Sequence, residues 1–226
     1  ENVEEEKMLD KILNYFRKPI EPNVQLNESQ MKKLDDGIIS YDTGIVGYSN
    51  REVQWKTYKV VASLLPSDIS ILDFGCGRGD FIGWYNSDKK KIKYTGIDFN
   101  SLLIKAGKEL YKSSKNKLIC TNWFSTKEKA DWCININSLN YLYKKQTKKN
   151  SLANVKKTIK KMVSCANEGV IITMASEIVD RDNVWIKYNP GDILNWSRKE
   201  YSNVIIDHTS FQNSFILVIY KNKQNG

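Results

Sequence analysis

The sequence predicts an α/β protein whose core is a doubly wound sheet of seven strands. Two observations carry this prediction. The 226 residues are 41% hydrophobic and 27% charged, which suits one globular domain and excludes a disordered, collagenous or disulfide-stapled chain. From Ile69 onward, short β-branched runs alternate with segments of helical periodicity, and this alternation is typical of a sheet with helices on both faces.

Seven short apolar runs are the predicted strands. The first five are separated by segments long enough to form helices, so we expect them to pair in parallel. The last two are joined by a short loop that includes residues 209–213, too short for a parallel crossover, and are expected to form an antiparallel hairpin. The predicted strands are, in order, 69–74, 93–98, 117–120, 131–136, 169–174, 204–207 and 215–220.

Two helices are clearly indicated. Ser49 followed by Glu52 is a capping box, and it predicts a helix that ends before Pro66. Its expected packing face is Trp55, Tyr58, Val61, Ala62 and Leu65. A second helix is predicted at 152–166, with the apolar face Leu152, Val155, Ile159, Met162, Val163 and Ala166.

The opposite face of the second helix carries lysines, as expected of a solvated face. These are Lys156, Lys157, Lys160 and Lys161. A second lysine cluster precedes the helix and would join the first in one basic patch beside the carboxyl ends of the strands. It consists of Lys144, Lys145, Lys148 and Lys149.

Residues 1–48 are predicted to form an N-terminal helical extension or lid, and residues 49–226 the ligand-binding domain. The extension begins with apolar residues at helical spacing and is broken by Pro19 and Pro22. Those apolar residues are Met8, Leu9, Ile12, Leu13 and Phe16. The sequence starts at Glu1 without an initiator methionine, which is compatible with excision from a larger protein.

The charge and cysteine content bound the partners and the compartment. The net charge is +9, but only five of the 35 basic residues are arginines, so the basic balance is weak evidence for nucleic acid. The first residues lack a secretory signal, and the apolar runs are too short to cross a bilayer. We therefore expect a cytoplasmic protein, in the host cytoplasm if the source is viral. Its four cysteines are expected to be reduced and buried, and no metal site is expected.

A glycine-rich turn follows the first predicted strand. A dinucleotide site would place its third glycine where this chain has Asp80, and a carboxylate is unfavourable beside a pyrophosphate. Asp73 and Asp80 instead suit a ligand with a cationic head group and no phosphates. S-adenosylmethionine (SAM) has an ammonium, a sulfonium and an adenosine, and the glycines would let the backbone approach it closely.

Polar and aromatic residues follow the next strands at the same predicted edge. Asp98 ends the second strand, where its carboxylate would accept hydrogen bonds from both ribose hydroxyls. Phe99 would lie against the adenine, and Asn122 and Trp123, after the third strand, would reach its edge and face. Asn137 closes the fourth strand beside the methionine portion of the ligand, together with Asn135, Ile136 and Ser138.

With these motifs in order, the chain resembles the class I SAM-dependent methyltransferases, and in particular small bacterial and phage members. The motif at Asp73, Gly75, Gly77 and Gly79, with Cys76 inside it, matches the first motif of that family, and Asp98 matches its ribose-binding acidic residue. The resemblance covers roughly residues 55–221. It implies a Rossmann-like sheet of order 3-2-1-4-5-7-6, SAM as cofactor with S-adenosylhomocysteine (SAH) as product, and methyl transfer.

The stretch before the first strand also resembles these proteins. There the start of the helix covers the cofactor, which implies that Arg51 pairs with the methionine carboxylate and that Gln54 bonds nearby. Tyr41 and Tyr48 would belong to a lid that excludes water. The alternatives are an ordinary surface helix and tyrosines that pack the extension onto the sheet.

The methyl acceptor is left open by the sequence. The 137–141 segment lacks the proline-containing motif of amino-methyltransferases, and no cysteine has the context of a cytosine-C5 nucleophile. His208 is a candidate general base, although a lone histidine at a strand end is more often structural. Acidic and aromatic residues after the fifth strand are candidates for an acceptor pocket, although the aromatics could equally pack under a loop; they are Glu177, Asp180, Asp182, Trp185, Tyr188 and Trp196. The acceptor is interpreted as a small molecule or an accessible macromolecular group. The alternatives are RNA or an RNA cap, and a module without catalysis in a larger assembly.

Overall fold

A computed structural model describes residues 51–85, 92–111, 116–140, 148–177 and 186–221. The predicted extension 1–48, with Tyr41, and also Tyr48 and the capping residue Ser49, lie outside the described residues. So do Trp185 and the lysines at 144 and 145, while Arg51 is described only in its backbone.

The described residues contain one seven-stranded sheet of order β3-β2-β1-β4-β5-β7-β6, which confirms the predicted fold class. Strands β1 to β5 are parallel, whereas β7 runs antiparallel to both β5 and β6. Each predicted strand is present to within a few residues at its ends. The strands are β1 Ser70–Phe74, β2 Lys93–Asp98, β3 Asn116–Cys120, β4 Ala130–Ile136, β5 Ala166–Ala175, β6 Asn203–Asp207 and β7 Ser214–Tyr220.

Helices cover both faces of the sheet, as the alternating pattern predicts. On one face lie α1 Arg51–Ser63, α2 Asp80–Tyr85 and α3 Ser101–Leu110. On the other lie α4 Lys148–Cys165 and α5 Pro190–Glu200. Each face has its own core, formed by β-branched and aromatic side chains that alternate between the two sides of the strands. Between strands β3 and β4 the chain forms only a 3₁₀ turn, Trp123–Ser125, which leaves one part of the α4 face open.

Three details differ from the sequence predictions. Trp55, predicted to be on the packing face of α1, is 40% exposed. The buried face of the helix instead contains Gln54, Thr57 and Tyr58, so the side chain of Trp55 lies on the solvent side. Ala166 begins β5 and does not end α4, since helix and strand follow without a loop. The cysteines are free thiols, but Cys120 is exposed and Cys76 only half-buried.

No helix among the described residues is long and apolar enough to cross a membrane.

Candidate functional site

The glycine-rich turn connects β1 to α2 at the carboxyl edge of the sheet. Gly75, Gly77 and Gly79 all have positive φ angles, of 77°, 57° and 80°. The backbone N–H groups of Gly75 and Cys76 both donate to the carbonyl of Ile97, at 2.8 and 3.1 Å, so the turn is fixed against the end of β2. Residues with a Cβ atom rarely adopt positive φ angles, which explains why glycine occupies three alternate positions of the turn.

A second reason for glycine is close approach at Gly75. A Cβ atom there would collide with the side chain of Ser138, which follows β4, and would lie 3.4 Å from the ring of Trp123. The turn after β1 therefore lies directly against the segments that follow β3 and β4. This brings three of the predicted site segments together at one point.

Asp98 ends β2 beside this turn, as predicted. Its Oδ2 accepts a hydrogen bond from the N–H of Gly77 at 2.9 Å, and its Oδ1 accepts one from Asn100 at 2.8 Å. Burial raises the pKa of Asp98, and the backbone hydrogen bonds oppose that rise. A carboxylate has about four acceptor positions. These backbone bonds, with a further contribution from the N–H of Phe99, orient the group and leave part of its acceptor capacity for a ligand hydroxyl.

Asp73 is fully enclosed on the opposite face of the sheet from α4. Its Oδ2 accepts a hydrogen bond of 2.6 Å from the hydroxyl of Tyr94. Burial raises the pKa of Asp73 to about 7; the Tyr94 hydrogen bond lowers it and the nearby Asp98 raises it. Near neutral pH Asp73 is therefore only partly ionised, which weakens the sequence argument that it offers a negative charge to the ligand.

Asp80 does not offer a free charge to a ligand either. Its Oδ2 accepts hydrogen bonds from the buried guanidinium of Arg78, at 2.6 Å from Nη2, and its Oδ1 accepts one from the Tyr111 hydroxyl at 2.9 Å. Its charge is therefore compensated, and its bonds to Arg78 and Tyr111 stabilise the loop. Asp80 is also the first residue of α2, where a dinucleotide-binding loop requires its third glycine, so the loop lacks the glycine that a pyrophosphate site needs.

The end of β4 is held by a network of amides and hydroxyls. Asn135 is fully buried and its Nδ2 donates to the carbonyl of Phe74, at the end of β1, over 2.7 Å. Asn137 has a φ of 61°, and its Oδ1 accepts from the hydroxyl of Thr173 at 2.8 Å and from Nδ2 of Asn140 at 3.3 Å. Oδ1 of Asn140 in turn accepts from the N–H of Ala175 on β5 at 2.9 Å. The loop after β4 is thus fixed before any ligand binds.

A cavity of about 320 Å³ opens between this edge and helix α4. Its walls are mostly apolar and aromatic, and Phe99, at 55% exposure, is the most exposed large hydrophobic side chain among them. The indole N–H of Trp123 is buried without a hydrogen-bond partner among the described residues. The lining residues are Phe99, Asn122, Trp123, Phe124, Leu139, Ser151, Asn154, Val155, Thr158 and Tyr188.

Some predicted residues have local roles. Oδ1 of Asn122 accepts from the N–H of Phe124 at 2.9 Å and so caps the 3₁₀ turn that carries Trp123. Gln54 is buried and its Nε2 donates to the hydroxyl of Tyr58 at 3.0 Å. Glu177 is exposed, and its Oε1 accepts from Nδ2 of Asn189 at 2.7 Å, which ties the end of β5 to the start of α5.

His208 lies at the correct edge of the sheet but far from the cavity. It follows β6, which runs parallel to β5 because both strands are antiparallel to β7. Three strand positions separate β6 from β4, a distance of roughly 14 Å at the usual strand spacing. His208 packs edge-on against Phe215. The described geometry does not bring it to the end of β4.

Sequence reasoning named Tyr188 as a possible pocket residue but did not place Phe124, Leu139 and Asn140 at the site. It also did not identify the residues of α4 that line the cavity, which are Ser151, Asn154, Val155 and Thr158. Phe124 and Leu139 line the cavity, Tyr188 lines it and donates its hydroxyl to the carbonyl of Leu139 at 2.7 Å, and Asn140 links β4 to β5. Asn140 is 35 residues away from Ala175, and Tyr188 is 49 residues away from Leu139, so no local pattern could reveal these contacts. Phe124 directly follows Trp123, and its place beside a predicted ligand residue was the available signal.

Comparison with known proteins identifies the class that this fold and site define. Residues 65–214 match the family model described as a methyltransferase domain, and the chain belongs to that family. A relative from Invertebrate iridescent virus 6, named "Putative methyltransferase 235L", is 25% identical over 137 residues, which are 58% of this chain and 52% of the relative. The chain therefore spans about half the length of that relative.

Solved structures show the same fold at low sequence identity. The magnesium protoporphyrin IX methyltransferase of Synechocystis PCC 6803 with bound SAH aligns with a TM-score of 0.56 and 14% identity, over 95% of this chain and 94% of the other. The N-methyltransferase NodS of Bradyrhizobium japonicum WM9, also with SAH, aligns with a TM-score of 0.56 and 16% identity, over 76% and 87%. The chain thus belongs to the methyltransferase-domain family, and both of these structural neighbours hold SAH, the product form of SAM.

The described residues fit this cofactor. The turn at Gly75 and Gly77 leaves room for backbone contact, Asp98 keeps unused acceptor positions, and the cavity begins at Phe99. No feature of the described loop favours a phosphate, since Asp80 occupies the first position of α2.

Proposed function

We propose that Asp98 binds the ribose hydroxyls of SAM and that Phe99, Asn122 and Trp123 enclose its adenine. The observation that carries this assignment is the backbone anchoring of Asp98, which fixes a buried carboxylate directly before Phe99, a lining residue of the aromatic cavity. The unpartnered indole N–H of Trp123 supports a polar ligand atom at that end.

The methionine portion would lie over the end of β1. We assign it to the loop Gly75–Cys76–Gly77 with Gly79 behind it, and to Asn137 after β4. The close approach of Gly75 to Ser138 supports this placement. Because Gly75 has no side chain, its backbone is what the loop presents to a ligand at the edge of the sheet. Asp73 supports the loop from the opposite face through Tyr94.

The acceptor is proposed to enter between the sheet edge and α4, where Leu139, Asn154 and Tyr188 complete the cavity. The apolar and aromatic walls suit a flat or apolar group, on a small molecule or exposed on a macromolecule. When bound, SAM supplies an already activated methyl group. The chain's contribution is then to orient the acceptor atom in line with that methyl and to exclude water.

The lining residues explain why no general base is assigned. Neither a carboxylate nor an imidazole is among the described residues that line the cavity. Orientation of the reactants alone lowers the activation free energy of such a transfer by several kcal/mol. An acceptor that is already nucleophilic at neutral pH, such as an amine or a ring nitrogen, therefore fits the site better than an alcohol that must lose a proton.

An Asn154→Trp variant tests the acceptor assignment. Asn154 is an exposed residue of α4 that lines the cavity, so the larger ring fills the cavity from the helix side without disturbing the core. We expect methyl transfer from radiolabelled SAM to cell-extract pools to fall more than tenfold, with SAM affinity within about threefold of the unmodified chain. Asn154→Ala is the control. Loss of SAM binding in Asn154→Trp would show that the cofactor fills the whole cavity and that the acceptor enters elsewhere.

We propose that residues 1–48 form a lid over this edge, with Tyr41, Tyr48, Arg51 and Gln54 near the cofactor. Val53 and Trp55, on the first turns of α1, are 45% and 40% exposed, which supports a covering segment next to them in sequence. Limited proteolysis with and without SAH tests the lid. Slower cleavage within residues 1–48 in the presence of SAH is expected, and an unchanged rate would contradict closure.

The cytoplasm is proposed as the site of action, because the four cysteines are free thiols.

A further inference from the structure

Helix α4 has an unusual charge distribution. It carries six lysines and no acidic residue over its 18 positions. Among the described residues Lys160 pairs with Glu200 at 2.9 Å, and Lys161 donates to the carbonyl of Thr126 at 2.7 Å. Lys156 and Lys157 form no ion pair with any described residue. Within the described part of the chain, the outer face of α4 thus has positive charge without acidic partners.

Aromatic rings are interleaved with these lysines. The ammonium of Lys157 lies 4.5 Å from the ring centre of Phe124. The ammonium groups of Lys156 and Lys160 lie 5.6 and 5.9 Å from the ring centre of Trp196 on α5. We call these five residues the lysine–aromatic face. Cation–π contacts hold these ammonium groups over the rings, and those of Lys156 and Lys157 have no acidic partner among the described residues.

This face adjoins the cavity. Phe124, beneath Lys157, is also a wall of the cavity, and Val155 and Thr158 of α4 line it from the helix side. One turn of α4 therefore presents apolar contacts inward to the cavity and lysines outward to solvent. A ligand that occupies the cavity and continues past α4 must cross these lysines.

We propose that the lysine–aromatic face binds a single-stranded nucleic acid, whose phosphates contact Lys156 and Lys157 and whose bases stack on the adjoining rings. Positive charge interleaved with aromatic rings is the combination that binds single strands without sequence preference. Lysines contact phosphates as point charges, so the scarcity of arginine on this face is compatible with backbone contacts that carry no sequence information. That a base or terminus of the strand is the methyl acceptor rests on the proposed function; binding of the strand does not.

Fluorescence anisotropy with labelled 12-nucleotide oligouridine and oligothymidine tests the binding. The double variant Lys156→Gln/Lys157→Gln removes two charges from the face, and Lys105→Gln/Lys108→Gln removes two exposed lysines from α3, on the opposite face of the sheet. At about 0.1 M salt we expect the first variant to bind at least tenfold more weakly, and its slope of log K against log salt to fall by about 1.4. The α3 variant should change affinity less than threefold.

A third variant, Trp196→Leu, removes the ring without changing the charge. We expect about tenfold weaker binding with an unchanged salt slope. Comparison of the two oligonucleotides shows whether the strand is RNA or DNA. Equal losses in the α3 and α4 variants, no binding at 50 mM salt, or equal binding of a polyglutamate peptide would overturn the proposal. SAM binding is measured on each variant, so failure of the nucleic-acid face is separated from failure of the cofactor site.

Discussion

Three aspartates near the glycine turn show how the surroundings of one residue type decide its role. Asp80 is neutralised by Arg78 and Tyr111, Asp73 is buried beside Tyr94, and Asp98 is anchored by two backbone N–H groups. Asp98 differs from the other two because its orientation is fixed at the end of β2, directly before Phe99 of the cavity wall. We therefore place the cofactor's ribose on Asp98 and give the other two a supporting role.

Replacement of Asp98 by alanine should weaken SAM binding by about 1.5–3 kcal/mol, the usual cost of losing a hydrogen bond to a charged group. Isothermal titration measures it. Asp131→Ala is the matched control, because Asp131 also accepts bonds from a neighbouring segment, at Ser70, but at the amino edge of the sheet. We expect the control to lose stability and keep its affinity. Equal affinity in the Asp98 variant and the unmodified chain would contradict the placement.

Stability should depend on pH through Asp73. Its folded pKa of about 7 exceeds the unfolded value of 3.8, so the folded state holds the proton more tightly. This contribution to stability is complete below about pH 4 and is lost as the pH rises towards 7. Relative to Asp73→Asn, the unmodified chain should lose roughly 3 kcal/mol of unfolding free energy between pH 5 and pH 8, as measured by urea denaturation.

Asp207→Asn is the control for that experiment. Burial alone would raise the pKa of Asp207, but hydrogen bonds from Ser210 and Thr209 lower it to about 2. Its stabilising contribution is present above the unfolded pKa and is lost only as the pH falls towards 2, so the difference from the unmodified chain should stay constant between pH 5 and pH 8. A constant difference for Asp73→Asn as well would mean that Asp73 titrates normally.

At the residue scale, the sequence predicted where the site residues lie better than it predicted their charge and hydrogen-bond partners. Asp98 follows a β-branched run, and its location at the strand end could be inferred from local pattern alone. The compensation of Asp80 by Tyr111, 31 residues further on, depends on how α3 packs against the loop, and no local pattern contains that information.

At the scale of elements, helix α3 is held unusually close to the glycine turn. Gly107 faces the turn, and a Cβ atom there would collide with the carbonyl of Arg78 and lie 2.8 Å from Leu118. A glycine inside a helix normally costs about 1 kcal/mol relative to alanine. Here the absence of a side chain at Gly107 lets α3 pack closely against the glycine-rich turn, and this packing offsets the cost.

We expect Gly107→Ala to lower the melting temperature, against helix propensity, and to weaken SAM binding because the loop must shift. Lys105→Ala, at an exposed position of the same helix, should change neither. Thermal unfolding followed by circular dichroism and calorimetric titration measure the two effects. A stabilised Gly107→Ala variant would show that the close approach is not required.

Strand positions were predictable because each strand is a short apolar run between polar turns, and the hairpin of β6 and β7 followed from loop length alone. Helix α4 was less well bounded. It begins at Lys148, in a polar stretch four residues before the predicted start, and it passes into β5 at Ala166 without a turn signal. The exposure of Trp55 depends on which face of α1 packs against the sheet. The spacing of apolar residues limits the choice of face but does not determine it.

At the scale of the whole molecule, topology decides which predicted residues meet. The turn after β1 and the residues after β2, β3 and β4 converge because these strands are neighbours in the sheet. The order of the strands came from resemblance to a family, since spacing alone does not set it. Glu177 and His208 also end strands, but they follow β5 and β6, further along the same edge.

His208 therefore gives a prediction at this scale. Three strand positions separate it from β4, so His208→Gln should leave SAM affinity and methyl transfer within about twofold of the unmodified chain. A parallel assay of Asn137→Ala, at the end of β4, should show a loss of at least tenfold in transfer. A large loss of transfer in His208→Gln with normal folding would place the acceptor over β6.

The most direct test of the cofactor site is isothermal titration of the chain with SAM and SAH, with NAD as the control ligand. The geometry of the glycine turn and Asp98 predicts micromolar binding of SAM and SAH, and no binding of NAD, because Asp80 occupies the position of the third glycine that a dinucleotide site requires. Binding of NAD, or failure of both SAM and SAH to bind, would contradict the assignment of this site.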